Sequence, residues 1–288
     1  LIYEGVVYRP PSEAGSWILQ ATIGCSHNRC TFCNMYKDKS FRIRSVQELE
    51  DEIHKVRELY PDIRRVFIAD GDALMIRTED LKYLLSEIRA SFHKLERIGI
   101  YASPKSIHSK TDDELISLYE AGLGIAYLGL ESGDPEILLR VRKGDTREGI
   151  ISAGKRLKAS GIKLSITAIS GLGGKERWRE HALMTASAVN EIRPHYLGLL
   201  TLMVEQGTEL WTSVQEGSFQ LLTPDEAARE TLSLLQELDC DGLVFRSNHA
   251  SNYVALKGTL NMDRDKLISQ LKRAIEDEGF KDESFRRL

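Results

Sequence analysis

Residues 17–33 read Trp17-Ile18-Leu19-Gln20-Ala21-Thr22-Ile23-Gly24-Cys25-Ser26-His27-Asn28-Arg29-Cys30-Thr31-Phe32-Cys33. An apolar run of strand length ends at Gly24, and three cysteines follow at once, spaced by four and then two residues. A strand that empties into a ligand-bearing loop is how a parallel α/β unit begins, and in such folds chemistry collects where strands end. Working outward, the same kind of run recurs at 65–69, 97–101, 125–130, 163–169 and 195–203. Helical patterns fill the gaps. Val46, Leu49, Ile53 and Val56 form one apolar face at three- and four-residue steps, and Leu81, Leu84, Leu85 and Ile88 form another. Thr111 and Glu114 read as a capping box, Asp134-Pro135 as a helix start and Gly161 as a helix stop.

Six strand–helix units are therefore expected, the last helix near 224–238. A seventh short strand at 243–246 and an amphipathic helix carrying Leu267, Leu271 and Ile275 follow. With right-handed crossovers, six units curl into a partial, TIM-like (β/α)6 barrel rather than a closed eightfold one. The expected organisation is a barrel core over residues 1–240, with residues 241–288 as a short C-terminal extension of the same domain that closes the barrel.

The bulk properties set bounds on function. A chain of 288 residues suits one large α/β barrel, and 42% hydrophobic residues supply its core. A formal net charge of −4 gives no general attraction to nucleic acid, which makes such a partner unexpected. No apolar run approaches the ~20 residues of a membrane span, and no signal-peptide pattern stands near Leu1. A soluble cytoplasmic protein is expected, and the lack of an initiating Met implies that a few residues precede Leu1. Of four cysteines, three fall within nine residues. A disulfide scaffold spreads its cysteines through a short chain, so this clustering points to a metal. Cys240 stands far from any other Cys and is expected to be a buried thiol.

Three thiolates on one tight loop suit three irons of a cubane cluster and leave a fourth iron open. Zinc is the alternative, with His27 as a fourth ligand, but His27 lies only two residues from Cys25 and no second Cys or His pair appears downstream. Other strand ends are also rich in polar or glycine positions. They include Asp70-Gly71-Asp72 after the second strand, Gly129-Leu130-Glu131-Ser132-Gly133 at the fourth, and Ser170-Gly171-Leu172-Gly173-Gly174 at the fifth. The fifth lacks the Lys-Ser/Thr ending of a phosphate loop, since Lys175 is followed by Glu176. Glu205-Gln206-Gly207-Thr208-Glu209-Leu210 follows the sixth strand.

This series of strand ends resembles the radical S-adenosylmethionine (SAM) superfamily, over about 17–210. The Cys-x4-Cys-x2-Cys spacing is that of some branches only. Its plan is similar to the cores of Elp3, oxygen-independent coproporphyrinogen oxidase and cobalamin-type members, without their accessory domains. The resemblance implies a [4Fe–4S] cluster on Cys25, Cys30 and Cys33, with SAM chelating the open iron. It implies that Phe32 packs near the adenine and that Asp70, Gly71 and Asp72 meet the amino group. Glu131 and Ser132 would meet the ribose or amino-acid end, a cation from among Arg140, Arg142 and Lys143, with Arg142 selected, the carboxylate, and Gly171 and Gly173 the adenine. The polar run Asn248-His249-Ala250-Ser251-Asn252 after the last strand offers Asn248, His249 and Asn252 as substrate or SAM contacts.

The implied reaction is reductive cleavage of SAM to a 5′-deoxyadenosyl radical that abstracts hydrogen from a substrate, with the electron coming from a donor such as flavodoxin or ferredoxin. No cobalamin-binding domain, second cysteine cluster or RNA-binding appendage is read in the chain, and a small-molecule substrate is expected. A tRNA- or protein-modifying enzyme and a non-catalytic iron–sulfur carrier or sensor stand as alternatives.

Overall fold

The computed structural model describes residues 3–286. In chain order the elements are β1 (Trp17–Gln20), β2 (Thr22–Ile23), β3 (Arg42–Ile43), α1 (Val46–Leu59), β4 (Arg65–Ala69), α2 (Thr78–Ser91), β5 (Arg97–Ala102), α3 (Pro104–His108), α4 (Asp112–Glu120) and β6 (Leu123–Glu131). They continue with α5 (Pro135–Arg140), α6 (Arg147–Ala159), β7 (Lys163–Ser170), α7 (Gly174–Ile192), β8 (Tyr196–Thr201), α8 (Glu209–Gln215), α9 (Pro224–Glu237), β9 (Val244–Ser247), β10 (Leu256–Thr259) and α10 (Arg264–Glu276).

Eight strands form one sheet in the order β1-β4-β5-β6-β7-β8-β9-β10, while β2 and β3 pair separately. This is the expected α/β class, with strands following one another in sequence order across the sheet. The chain divides into two compact units. The first comprises residues up to Asn28 with 35–128 and 153–164, and the second comprises 29–34, 129–152 and everything from Ser165 onward.

In the first unit β1, β4, β5 and β6 pair in parallel, and Val66, Phe67, Ile68 and Ala69 of β4 are all fully buried. That suits a central parallel strand covered on both faces. Leu49, Ile53 and Val56 of α1 and Leu81, Leu84, Leu85 and Ile88 of α2 are buried, so the three- and four-residue steps do mark the packed helix faces. Capping boxes at Ser45–Glu48 and Thr111–Glu114 start α1 and α4, each worth about 1 kcal/mol. A 3₁₀ turn at Pro11–Glu13 carries a fully buried carboxylate. Glu13 accepts hydrogen bonds from Arg97 Nη2 at 2.7 Å, from Ser16 Oγ and from the Tyr127 hydroxyl.

In the second unit β7, β8 and β9 run parallel, and β10 returns antiparallel to β9 with Lys257 opposite Arg246. Burial alternates along β7 and β8. Leu164, Ile166, Ala168 and Ser170 are buried, whereas Ser165, Thr167 and Ile169 on the other face are partly accessible. The expected extension beyond residue 240 begins with β9, β10 and α10, and these lie wholly within this unit.

The elements differ from the pattern expected of the sequence at several places, with β3, α3 and α8 also unanticipated. The run 17–23 is two strands, because at Ala21 the chain leaves β4: Ala21 N–H donates to Ala69 O, Ala21 O accepts from Arg44, and Thr22 and Ile23 then pair with Ile43 and Arg42. The strand β10 has no counterpart in the sequence reading. Cys240 is buried as expected, its Sγ 3.4 Å from Asn190 Oδ1. Among the described residues no helix is long and apolar enough to cross a membrane.

Candidate active site

The first unit supplies Cys25 and the turn after β4. Asp70 and Asp72 are both fully buried, and neither is a surface carboxylate. Asp70 Oδ2 pairs with Lys39 Nζ at 2.9 Å and also accepts from Gln20 Nε2 and the Gly24 amide, each at 3.3 Å. Its own amide donates to Thr22 Oγ1 at 3.1 Å. Burial first, then the Asp70 charge, raises the pKa of the neighbouring Tyr36 phenol far above its ordinary value. Asp72 accepts from Ser26 Oγ, and from the Ser103 amide and hydroxyl at 3.1 and 2.7 Å. One carboxylate therefore ties the cysteine loop to the exit of β5.

Gly71 lies between these acids and against Cys25. A Cβ built at Gly71 would stand 2.7 Å from Tyr36 Cε2 and 2.9 Å from Cys25 Cβ. Gly71→Ala is therefore expected to lower the melting temperature by several degrees and to cut iron retention after reconstitution, because Cys25 or Tyr36 must move. Thermal unfolding and iron assay of the variant check this; an alanine variant with wild-type iron content would show that the loop absorbs the methyl group.

In the second unit lies the stretch 29–34 of the cysteine loop. Thr31 N–H donates to Val141 O and Leu210 N–H donates to Thr31 O, both at 3.0 Å, which fastens the loop at two points. Phe32 packs on an apolar cluster of Ile137, Val141, Leu172, Leu202 and Leu210. Cys30 and Cys33 are half-buried like Cys25, and none of the four cysteines is in a disulfide.

At the end of β6 the backbone turns left-handed at Glu131, with φ of 60°. Its carboxylate pairs with Lys143 Nζ at 2.8 Å, and both side chains are largely buried. The pair folds back over Gly129, where a Cβ would lie 2.1 Å from Glu131 Oε1 and 2.9 Å from Lys143 Nζ. A side chain at 129 would expel the pair, which is the physical content of the Gly-x-Glu spacing. Arg142, the cation selected from the sequence, is instead exposed and pairs with the exposed Glu209. The inward cation is its neighbour Lys143.

Ser132 is buried, and its hydroxyl meets His181 Nδ1 at 2.8 Å and accepts from the Asp134 amide at 3.0 Å. At the end of β7, Gly171 has φ of 85°, and its amide donates to Glu230 Oε2 at 2.7 Å. Glu230 is nearly fully buried, and burial holds its carboxyl above the usual range against His181, Ser170 and the Gly171 amide. Gly173 caps α7, where a Cβ would approach Ile137 Cδ1 to 2.9 Å.

Of the C-terminal candidates, Asn252 is buried and used up in holding its loop: its Oδ1 accepts from Thr201 Oγ1 at 2.9 Å and its Nδ2 donates to Leu199 O at 3.0 Å. His249 is half-buried with Nδ1 2.9 Å from Ser251 Oγ; burial first, then Lys281, lowers its pKa. Asn248 is exposed. Lys39, Tyr36, His181 and Glu230 had no signal in the sequence, since each meets its partner across a long stretch of chain.

A fold of this class, with a cysteine-bearing loop after its first strand and polar groups at successive strand exits, is that of the radical SAM enzymes. The radical SAM superfamily model matches residues 19–185, more than half of the chain, and the chain belongs to that superfamily. The protein is thus an enzyme of the class that uses a [4Fe–4S] cluster and SAM, whose members generally need an electron donor such as flavodoxin or ferredoxin.

Among solved structures it is similar to methylornithine synthase, with a TM-score of 0.57, 16% identity, and coverage of 89% of this chain and 68% of the other. Coproporphyrinogen III oxidase from Escherichia coli, described as a radical SAM enzyme, gives 0.56 and 20%, covering 77% of this chain and 50% of that one. Elp3 from the archaeon Methanocaldococcus infernus gives 0.52 and 18%, covering 81% and 58%. At these identities the likeness is one of fold, that of the TIM-like barrels. The chain spans between half and about two thirds of the length of these proteins. No curated protein matches the sequence.

Proposed function

We propose that Cys25, Cys30 and Cys33 ligate a [4Fe–4S] cluster and that the enzyme cleaves SAM reductively to act on a small-molecule substrate. The observation that carries this reading is the donor set: three half-buried thiols within nine residues, outside any disulfide, with Gly71 packed against Cys25 Cβ. Three soft thiolates fit an iron–sulfur cluster, and no fourth ligand at zinc spacing accompanies them. The cluster and SAM together supply one-electron cleavage of a carbon–sulfur bond and a 5′-deoxyadenosyl radical for hydrogen abstraction.

The chain's own residues bind and orient. Asp72 holds Ser26, and so the arm that carries Cys25. The Glu131–Lys143 pair presents a carboxylate to hydroxyl or ammonium groups of SAM and an ammonium to its carboxylate, so Lys143 takes the part first assigned to Arg142. Gly171 lets the backbone approach the adenine closely. The partly accessible Ser165, Thr167 and Ile169 of β7 are uncharged, in keeping with a small-molecule substrate. Oxygen-sensitive clusters belong in a reducing compartment, in keeping with a cytoplasmic location and a flavodoxin- or ferredoxin-type donor.

Anaerobic reconstitution with iron and sulfide, followed by reduction in the presence of SAM, tests the reading. Formation of 5′-deoxyadenosine supports it. A cubane cluster that neither binds nor cleaves SAM replaces it with the carrier or sensor reading.

A further inference from the structure

We propose that Glu230 and His181 are positioning residues for SAM, clamping the exits of β6 and β7 from the helical layer. This rests on the reading that Glu131 and Gly171 contact SAM.

Ser170 is the last of the buried residues of β7, and its side chain faces α7 and α9. There it meets Glu230, a carboxylate in the middle of α9 that an apolar residue would replace at lower desolvation cost. What the acid provides is acceptor capacity. Its Oε2 takes the Ser170 hydroxyl and the Gly171 amide, just where the β7–β8 ladder ends and Gly171 turns left-handed. His181 of α7 completes the clamp. The Ile169 carbonyl 2.9 Å away makes Nε2 a donor, and Nδ1 meets Ser132 Oγ at 2.8 Å, accepting from it in the neutral ring. Thr185, one turn further along α7, accepts the Gly133 amide at 2.9 Å. Gly133 rests directly on α7, since a Cβ there would stand 2.1 Å from Met184 O. Residues 169–171 and 132–134 are thus pinned to one helix pair. Glu131, immediately before Ser132, and Gly171 inherit their placement from it.

The test uses the reconstituted holoenzyme and SAM itself. SAM affinity is read from the change in the electron paramagnetic resonance spectrum of the reduced cluster. Glu230→Gln keeps the acceptor and is expected to stay within about threefold of wild type, whereas Glu230→Met removes it and is expected to weaken SAM binding by about tenfold or more. Iron content and the SAM-free spectrum are expected to be unchanged in both. A folded Glu230→Met variant that binds SAM like wild type overturns the clamp, as does one that loses the cluster together with SAM, since the role would then be merely structural. Should Glu230→Met not fold, His181→Gln carries the test: it keeps a donor for Ile169 O but not both contacts, and wild-type SAM affinity in that variant overturns the proposal. A wild-type holoenzyme that never responds to SAM defeats the parent reading, and with it any positioning of SAM; that outcome is distinguished because no variant is needed to see it.

Discussion

Cys30→Ala is expected to reduce 5′-deoxyadenosine formation to background and to leave the reconstituted protein without the visible absorbance of a cubane cluster. Cys30 lies on a loop held by backbone bonds from Thr31 to Val141 and from Leu210 to Thr31, and by Phe32 packed on its apolar cluster. None of these contacts uses the Cys30 thiol. The variant should therefore keep the wild-type circular dichroism spectrum, so that the loss is one of metal binding and not of fold. The informative control is Cys240→Ala. That thiol is buried against Val189 O and Asn190 Oδ1, outside the motif. Its removal is expected to cost about 1 kcal/mol of stability and none of the cluster. A Cys30→Ala protein that still assembles a cubane and cleaves SAM would sink the three-thiolate assignment. A wild type that binds one zinc ion and stays colourless would restore the zinc alternative.

Asp70→Ala is expected to be the most destabilising single change in the first unit. It leaves the Lys39 ammonium, whose side chain is 5% exposed, without its counter-ion, and it strips an acceptor from the Gly24 amide and Gln20. Breaking a buried pair from one side costs about 3–5 kcal/mol, which in a chain of this size is a fall in melting temperature of roughly 5–8 °C. The double variant Asp70→Leu with Lys39→Met removes both charges and is expected to recover much of that loss, because an uncompensated charge is dearer than an absent pair. Thermal unfolding of wild type, both single variants and the double variant gives the coupling directly. If Asp70→Ala lies within about 1 kcal/mol of wild type, water reaches the pair and the turn after β4 is looser than its contacts imply.

What could be read from the sequence was local. The Thr111–Glu114 capping box, the Asp134-Pro135 helix start and the left-handed stop at Gly161 each depend on residues within a few positions of one another, and all three stand where their spacing placed them. The Gly129–Glu131 spacing was visible too, although its cause, a carboxylate folding back over a bare Cα, was not. The partners of the site residues were harder to see. Lys39 reaches Asp70 across 31 residues and Glu230 reaches Gly171 across 59. No periodicity carries such pairings. Arg142 and Lys143 are adjacent in sequence, and only the left-handed backbone at Arg142 decides which cation turns inward. Asn252 looked like a ligand because it is polar and follows a strand; its amide is spent on Thr201 and Leu199, which a sequence shows no more than it shows β10.

The buried carboxylate of Glu13 bears on how the chain comes off the ribosome. Its partners Arg97 and Tyr127 lie 84 and 114 residues downstream. At a synthesis rate of about 5–20 residues per second, roughly 6–23 s pass between the appearance of Glu13 and that of Tyr127. Until Tyr127 appears the buried Glu13 carboxylate lacks its full set of partners, and closing so long a loop comes late in folding for entropic reasons. Cys25, Cys30 and Cys33 all emerge within the same interval. The newborn chain therefore exposes its three thiols before the strand that completes the Glu13 cluster has been made.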